Sequence, residues 1–445
     1  MALTGIQIFK LLPKTNCGEC GSPTCLAFAM ALAAGKAELA QCPTISDEAK
    51  EQLSEASAPP IRLVTVGTGD YGVKIGGETV MFRHEKTFFN KPGLALLITD
   101  AMTEAEVDRR INTLGEFQYE RVGLVLRPEL LAIKQVGSKE GFLQCVKKAA
   151  AFPYGLILMS SDGAVMKDAL DMVKDKKPLI YAATKDNFDA FGKLAKEYAC
   201  PLAVKAQGLE ELSGLVDKLA AMGVKDMVLD SGSRGTKEAF SDQVVIRRAA
   251  LQSRFKPLGF PTITLPCEMT DDFMKETLIA SLFIAKYAGL IVLSDFRGEN
   301  LFPLLLERLN IYTDPQRPMT TEQGIYPINN PDGDSPVLVT CNFSLTYFIV
   351  TGEIENSRVP TWLCVMDTEG LSVMTAWAAG KFVADTVGPF IKKCGIAEKV
   401  KEKKLIIPGY AAGILGDLEE ELPGWSITVG PREAALIPAF LKARK

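Results

Sequence analysis

Histidine is almost absent from this sequence, since His84 is the single histidine among 445 residues. This scarcity excludes a Ser-His-Asp catalytic set and any metal site that needs several histidines. A strong net charge is absent too, because 50 Lys and Arg residues face 54 Asp and Glu residues and leave a formal charge of −4. A chain without an excess of basic residues is not expected to bind nucleic acid.

Long apolar runs are also missing from the sequence. None reaches the length of a membrane span, and the N-terminus lacks the basic and apolar regions of a signal peptide. We therefore expect a cytoplasmic protein that does not bind a membrane, in which cysteines serve metals or packing rather than disulfides. The chain is too long for one ordinary core, which predicts roughly two to four domains.

Four cysteines near the start carry the strongest chemical signal in the sequence: Cys17, Cys20, Cys25 and Cys42, with Pro43 directly after the last. Their spacing is C-x2-C-x4-C-x16-C-P. Thiolates this close together are usually held by iron and sulfide or by zinc. Zinc sites often pair two C-x2-C hairpins, whereas only one occurs here. Three ligands on one loop and a distant fourth suit a cubane, so we predict a 4Fe–4S cluster, with zinc as the alternative.

The remaining cysteines are scattered through apolar segments and are predicted to be small buried packing residues. They are Cys145, Cys200, Cys267, Cys341, Cys364 and Cys394.

Strand and helix patterns alternate eight times between residues 93 and 313. The predicted strands are Leu94–Thr99, Arg121–Leu126, Gly155–Met159, Leu179–Ala183, Leu202–Ala206, Asp226–Leu229, Thr262–Leu265 and Leu290–Leu293. Eight such units are typical of a TIM barrel, and a doubly wound sheet is the alternative. Polar residues at the strand ends are explained mostly as caps of the following helices, so no catalytic residue is predicted there.

The last segment of the chain has the pattern of a small, open, Rossmann-like α/β sheet. Because parallel strands present their carboxyl ends at one edge, four loops rich in small and hydroxyl residues should meet there and form a ligand groove. The predicted groove residues are Thr340, Asn342, Ser344, Thr346, Gly370, Leu371, Ser372, Val373, Gly409, Ala411, Gly430, Arg432 and Glu433.

The predicted fold is therefore an α/β multidomain protein. We assign residues 1–57 to an iron-sulfur domain, 58–92 to a linker with a small β segment, 93–325 to the TIM barrel and 326–445 to a Rossmann-like α/β domain that binds the ligand.

These features together resemble the large (gamma) subunits of the corrinoid iron-sulfur proteins of the acetyl-CoA (Wood–Ljungdahl) pathway. The resemblance rests on the four-cysteine pattern, the eight-unit barrel, and the segments Thr340–Thr346 and Thr368–Val373. It implies a cobamide in the last domain, a smaller barrel subunit as heterodimer partner, and a methyl group received from methyltetrahydrofolate through a methyltransferase. The methyl group would then pass to carbon monoxide dehydrogenase/acetyl-CoA synthase, with a ferredoxin-type protein as electron donor.

The single histidine bears on the cobalt chemistry that this resemblance implies. His84 lies outside the predicted cobamide domain, so we expect no protein nitrogen of this chain to bind cobalt. A weaker axial field favours Co(I), which accepts the methyl group, and the cluster is expected to reduce inactive Co(II). The alternative is an iron-sulfur barrel enzyme that acts on a pterin or another small substrate.

Overall fold

The structure is a computed structural model that describes residues 5–33, 37, 39–46, 49, 53, 59–121, 124–314 and 318–444. The chain divides into two compact units. The first comprises Met1–Phe117 and Pro128–Tyr312, and the second comprises Gln118–Arg127 and Thr313–Lys445. Among the helices of these described ranges, none combines the length and the apolar character that crossing a bilayer requires.

The N-terminal part of the first unit has a small core of its own. Helix α1 (Gly5–Leu11) and helix α2 (Cys25–Ala33) contribute buried residues such as Ile8 and Phe28 to it. Cys25 and Cys42 belong to the same apolar cluster, and Cys20 packs against it. The predicted boundary between residues 57 and 58 lies outside the described residues.

A short hairpin precedes the barrel. Strands β1 (Val64–Val66) and β2 (Val73–Ile75) pair antiparallel. Their buried side chains share one apolar cluster with barrel residues such as Ala95 and Leu130. A Cβ added to Gly93, at the start of the first barrel strand, would lie 3.0 Å from Val73. The hairpin therefore covers the amino-terminal end of the barrel.

Within the described part of the chain, ten further strands follow before residue 313. In chain order they are β3 (Gly93–Thr99), β4 (Tyr119–Arg121), β5 (Leu124–Leu126), β6 (Leu130–Lys134), β7 (Gly155–Met159), β8 (Leu179–Ala183), β9 (Leu202–Lys205), β10 (Met227–Asp230), β11 (Ile263–Thr264) and β12 (Leu290–Leu293). All except β4 and β5 form one parallel sheet in the order β10-β9-β8-β7-β6-β3-β12-β11. A parallel bridge between Leu229 and Thr262 joins the two outer strands, which confirms the predicted TIM barrel.

Helices surround the barrel strands. They are α3 (Glu104–Glu116), α4 (Lys139–Ala150), α5 (Gly163–Val173), α6 (Phe188–Glu197), α7 (Leu209–Ala221), α8 (Thr236–Leu251), α9 (Phe273–Ala285) and α10 (Gly298–Ile311).

The prediction of a barrel strand at Arg121–Leu126 is wrong. That stretch contributes to the antiparallel hairpin β4–β5 of the second unit, and the barrel strand is β6. Leu124 and Val125 are 49% and 56% exposed, whereas Leu130–Ile133 are fully buried. Barrel strands are covered on both faces, but two neighbouring short apolar runs look alike in sequence, and only packing separates them.

The second unit is the predicted Rossmann-like α/β sheet. Its remaining strands are β13 (Gly324–Ile328), β14 (Val337–Cys341), β15 (Thr361–Met366), β16 (Lys404–Ile407) and β17 (Ser426–Val429), and its helices are α11 (Ser344–Ser357), α12 (Val373–Ala378), α13 (Ala384–Lys393), α14 (Leu415–Glu421) and α15 (Ile437–Lys442). The strand order is β13-β15-β14-β16-β17, with β13 antiparallel and the others parallel. The first of these strands begins two residues before the predicted domain start at 326.

The topology of this sheet positions the candidate site. From β14 the chain continues to β15 on one side, and later to β16 on the other side of β14. In open α/β sheets, a crevice forms at the carboxyl ends of the strands where the order reverses in this way. The reversal between β14 and β16 therefore predicts a ligand site at the carboxyl ends of these two strands.

Candidate functional site

A cavity of about 280 Å³ lies at this reversal point. Its lining residues are Leu338, Val339, Thr340, Thr346, Val350, Ser372, Val373, Met374, Ile406, Ile407, Pro408, Tyr410, Gly430, Pro431, Arg432, Ala434 and Ile437. The walls are mostly apolar, with a few hydroxyls and one guanidinium. Mostly apolar walls with few polar groups are typical of cofactor sites.

Two buried hydroxyl groups at this end of β14 lack partners among the described residues. Thr340 is 2% exposed and Ser344 is 4% exposed, and neither Oγ atom has a hydrogen-bond partner in the parts of the chain that the structure describes. Thr340 lines the cavity, and Ser344 is the first residue of α11. Buried hydroxyls without partners are costly, so they indicate a place where a ligand supplies the missing hydrogen bonds.

Asn342 connects the loops that follow β14 and β15. Its Oδ1 atom accepts hydrogen bonds from the backbone N–H of Thr368, the hydroxyl of Thr368 and the backbone N–H of Gly370, each at 3.0 Å. Its Nδ2 atom donates to Asp367 at 2.9 Å. Asn342 is 4% exposed and is not among the residues that line the cavity, so these bonds hold the loop after β15, and its contact with a ligand stays a prediction.

Close approaches explain two of the predicted glycines. Gly370 has a φ of +75°, and a Cβ there would lie 2.8 Å from the Thr320 side chain. At Gly409 an added Cβ would lie 2.6 Å from the backbone nitrogen of Arg432. Each glycine thus lets two backbone segments pack tightly at the edge of the sheet.

A polar pair stands beside the cavity. The hydroxyl of Tyr410 donates to Glu433 at 3.0 Å, and this hydrogen bond raises the pKa of Tyr410. Tyr410 lines the cavity, as does Arg432, whereas Glu433 does not. The sequence pattern did not select Tyr410, although it follows directly after the predicted Gly409.

Some of the predicted groove residues line the cavity, and the others do not. Those that line it are Thr340, Thr346, Ser372, Val373, Gly430 and Arg432. Ala411 belongs to the hydrophobic core, and Leu371 packs against that core. The apolar wall residues, such as Leu338 and Ile406, were missed because apolar strand residues look like ordinary core in sequence.

The cysteine loop has an unusual backbone that a sequence pattern alone does not show. Gly18 and Gly21 adopt φ values of +75° and +81°, and nothing lies within 4 Å of a Cβ placed at either position. Asn16 accepts a hydrogen bond from the backbone N–H of Cys25 at 2.8 Å, and its own N–H lies 3.4 Å from the Cys25 sulfur. The loop is thereby folded back towards the start of α2.

The four thiols differ in exposure. Cys17 is exposed, Cys20 is partly buried, and Cys25 and Cys42 are buried. Across the described ranges, no group of three or more His, Cys, Asp or Glu side chains has an arrangement that could hold a metal ion. Four thiols along residues 17–42 are nevertheless the donor type that an iron-sulfur cluster needs, and three of them belong to or pack against one apolar core.

The carboxyl ends of the barrel strands carry a network that sequence analysis did not find. Asp230 accepts hydrogen bonds from Tyr181 at 2.5 Å and from Arg234 at 3.0 Å. Glu268 accepts from Arg234 at 2.6 Å and from Lys134 at 2.7 Å. Burial acts to raise the pKa of Glu268, but the hydrogen bonds from Lys134 and Arg234 lower it overall. The donors and acceptors satisfy one another, which is typical of a structural network.

Two family models match the chain. The model described as "CO dehydrogenase/acetyl-CoA synthase delta subunit" matches residues 63–441. A second model, described as "Putative Fe-S cluster", matches residues 12–44, a range that contains all four N-terminal cysteines.

Curated relatives match over nearly the whole chain. The chain is 46% identical over 445 residues to the corrinoid/iron-sulfur protein large subunit of Moorella thermoacetica. This alignment covers 100% of this chain and 99% of that protein. It is 37% identical to the acetyl-CoA decarbonylase/synthase complex subunit gamma of Methanopyrus kandleri, over 99% of this chain and 97% of that protein. The subunit gamma of Methanothermobacter thermautotrophicus is 33% identical, over 99% of both chains.

Proposed function

This chain belongs to the CO dehydrogenase/acetyl-CoA synthase delta subunit family, and we propose that it is the large subunit of a corrinoid and iron-sulfur methyl carrier. Its relatives include a corrinoid/iron-sulfur large subunit and gamma subunits of acetyl-CoA decarbonylase/synthase complexes. The crevice at the carboxyl ends of β14 and β16, where the Thr340 hydroxyl has no partner among the described residues, is the observation that carries this proposal.

The crevice residues fit the edge of a large, partly apolar cofactor. Leu338 and Ile406 offer apolar contacts, whereas Thr340 and Arg432 offer hydrogen bonds. We propose that the predicted groove residues hold the corrinoid either directly, as Thr340, Thr346, Ser372 and Arg432 would, or by shaping the loops, as Asn342 and Gly370 would. When bound, a corrinoid supplies a cobalt centre that takes up a methyl group and gives it up again.

The unit that contains this crevice has no histidine. The sequence of the second unit contains none, and the single histidine, His84, belongs to the first unit, where its ring stacks on Phe82. We therefore propose that this chain provides no nitrogen ligand to cobalt. A weak axial ligand is one of the means by which a protein adjusts the electronic state of a bound metal.

The N-terminal cysteines are proposed to hold a 4Fe–4S cluster. Cys17, Cys20, Cys25 and Cys42 supply four thiolates, and the open space beside Gly18 and Gly21 leaves room for inorganic sulfide near the backbone. Such a cluster carries single electrons at low potential, which suits the reductive reactivation of a corrinoid. The chain's own part is to hold the cluster through these thiolates.

The methyl carrier needs partners, and we propose those of the family. They are a small corrinoid-protein subunit that forms a heterodimer with this chain, a methyltetrahydrofolate methyltransferase, carbon monoxide dehydrogenase/acetyl-CoA synthase, and a ferredoxin-type electron donor. All ten cysteines are free thiols, which suits a reducing compartment, and we propose the cytoplasm.

Metal analysis of the protein purified without oxygen tests this proposal. A corrinoid iron-sulfur carrier should contain cobalt, iron and inorganic sulfide, and should show a corrinoid absorption band that shifts on reduction. Iron and sulfide without cobalt, also after incubation with a corrinoid, would favour the barrel-enzyme alternative. Zinc in a colourless protein would contradict both.

A further inference from the structure

Two cysteines of the second unit lie side by side, away from the N-terminal loop. Cys364 lies in β15 and is fully buried, in register with Val339 on one neighbouring strand and Ile325 on the other. Cys394 caps the carboxyl end of α13. The two thiols interact with each other, and the Cys394 sulfur also donates to the carbonyl of Ile391 at 3.5 Å. Both residues belong to or pack against the same core cluster. The fold thus joins residues that are 30 positions apart in sequence.

Cys394 and Cys364 differ in their access to a cavity of the described second unit. Cys394 lines a cavity of about 420 Å³, which Cys364 does not line. The charged residues at this cavity are Asp367, Glu369, Lys381 and Lys393. Small solutes can therefore approach the Cys394 side chain, whereas Cys364 is fully buried.

The surroundings favour the thiolate form of Cys394. The hydrogen bond from the Cys364 thiol is the largest cause that lowers the pKa of Cys394, and the backbone N–H of Ile396 lowers it further, to about 7. The pKa of Cys364 is raised by its hydrogen bond to Cys394 and by burial. Because Cys394 lines the cavity and Cys364 is fully buried, Cys394 is the nucleophile of the pair, and its thiolate is the reactive form.

We propose that Cys394 and Cys364 form a reactive thiol pair, which soluble disulfides oxidise to an intrachain disulfide through the cavity beside Cys394. Packing alone does not require two cysteines in contact, since two ordinary apolar side chains would fill the core equally well. The proposal concerns a modification site and does not depend on the function proposed above.

The reaction needs no other reactant. The Cys394 thiolate attacks one sulfur of a small disulfide, whose S–S bond breaks and releases one small thiolate. Cys364 then loses its proton and attacks the Cys394 sulfur of the mixed disulfide, which releases the second small thiolate. The two protein thiols lose two electrons and two protons in total, and the small disulfide is reduced to two thiols. The new bond ties the end of α13 to β15.

Oxidised glutathione provides the test on the full-length, reduced protein under oxygen-free conditions. After trapping of the remaining thiols and proteolysis, mass spectrometry should find the peptide of Cys364 joined to that of Cys394, with the loss of two hydrogens. Cys341 is the internal control, because it lies fully buried in β14 of the same sheet. We expect Cys394 to react roughly tenfold faster than Cys341.

Two variants separate the steps of this reaction. In Cys364→Ser, Cys394 should retain one glutathionyl group, because no second thiol resolves the mixed disulfide. In Cys394→Ser, Cys364 should become as unreactive as Cys341. The proposal is overturned if Cys394 of the unmodified sequence stays free under conditions that modify other cysteines. It is equally overturned if Cys364 reacts as fast in Cys394→Ser as in the unmodified protein.

Discussion

The side-chain oxygen of Asn342 accepts a hydrogen bond of 3.0 Å from the backbone N–H of Gly370. Asn342 follows β14 and Gly370 follows β15, so this bond joins the loops of two neighbouring parallel strands at the border of the crevice. Because the same oxygen also accepts from Thr368, one amide fixes the loop that leads to Ser372. Because the loop is already held without a ligand, less conformational entropy is lost when a ligand binds.

Replacing Asn342 by alanine should therefore destabilise this edge of the sheet. The buried N–H groups of Thr368 and Gly370 would lose their acceptor, and we expect the free energy of unfolding to fall by about 2 to 4 kcal/mol. Urea unfolding and corrinoid occupancy are the measurements. Ser372→Ala in the same loop is the control for the unfolding measurement alone, since its hydroxyl bonds at the exposed surface to Thr375. An equal loss of unfolding free energy in both variants would contradict this role of Asn342.

Thr340→Val should have opposite effects on stability and on cofactor binding. Valine has the shape of threonine without the buried hydroxyl that lacks a partner, so the ligand-free protein should gain about 1 kcal/mol in free energy of unfolding. Corrinoid occupancy should fall, because the hydroxyl would no longer be there to bond the ligand. Thr361→Val is the matched control, since the buried Thr361 hydroxyl donates to Val359 at 3.0 Å and its loss should destabilise the protein. Unchanged occupancy in Thr340→Val would place the ligand elsewhere.

Cys20→Ala tests the role of the N-terminal thiols. We expect less iron and sulfide per chain and loss of reductive activation, because a cluster that lacks one thiolate ligand is held poorly. Methyl transfer to chemically prereduced protein should persist. Cys145→Ala is the control, because Cys145 is a buried residue of the barrel helix α4 and should leave the iron content unchanged. Normal reactivation of Cys20→Ala would rule out the proposed electron-transfer role.

The barrel contains a buried ion pair whose removal should be costly. Arg308 donates two hydrogen bonds of 2.8 Å to Glu129 and one of 2.8 Å to the carbonyl of Pro92. Its side chain is 2% exposed and that of Glu129 is 9% exposed. Arg308→Leu would leave the Glu129 carboxylate without its main partner, so the free energy of unfolding should fall by about 3 to 5 kcal/mol.

Urea unfolding of Arg308→Leu needs a comparison with an exposed ion pair. Lys193 and Asp189 lie one helical turn apart, with side chains 69% and 63% exposed. Water screens such a pair, so Lys193→Leu should change the free energy of unfolding by less than about 1 kcal/mol. A similar small change in Arg308→Leu would show that the buried pair adds little to the barrel.

The sequence by itself determined the donors and the architecture. The spacing of Cys17, Cys20, Cys25 and Cys42 is a local property of the chain, and so is the repeat of buried strand and amphipathic helix that led to the barrel. The parallel direction of β14 to β17 in the last sheet also follows from the alternation of strands and helices, since parallel strands need a crossover connection. These features depend on neighbours in sequence, which one chain shows directly.

Only the tertiary structure decided which apolar run enters the barrel and which polar groups meet. Arg121–Leu126 and Leu130–Lys134 are similar in sequence, and packing on both faces selected the second. Asn342 was selected in sequence as a groove residue, whereas its hydrogen bonds with a loop about 25 residues later arise only in the fold. The contact between Cys364 and Cys394 likewise arises from the packing of α13 on β15. Contacts between distant segments depend on the complete fold, so no local pattern could have revealed them.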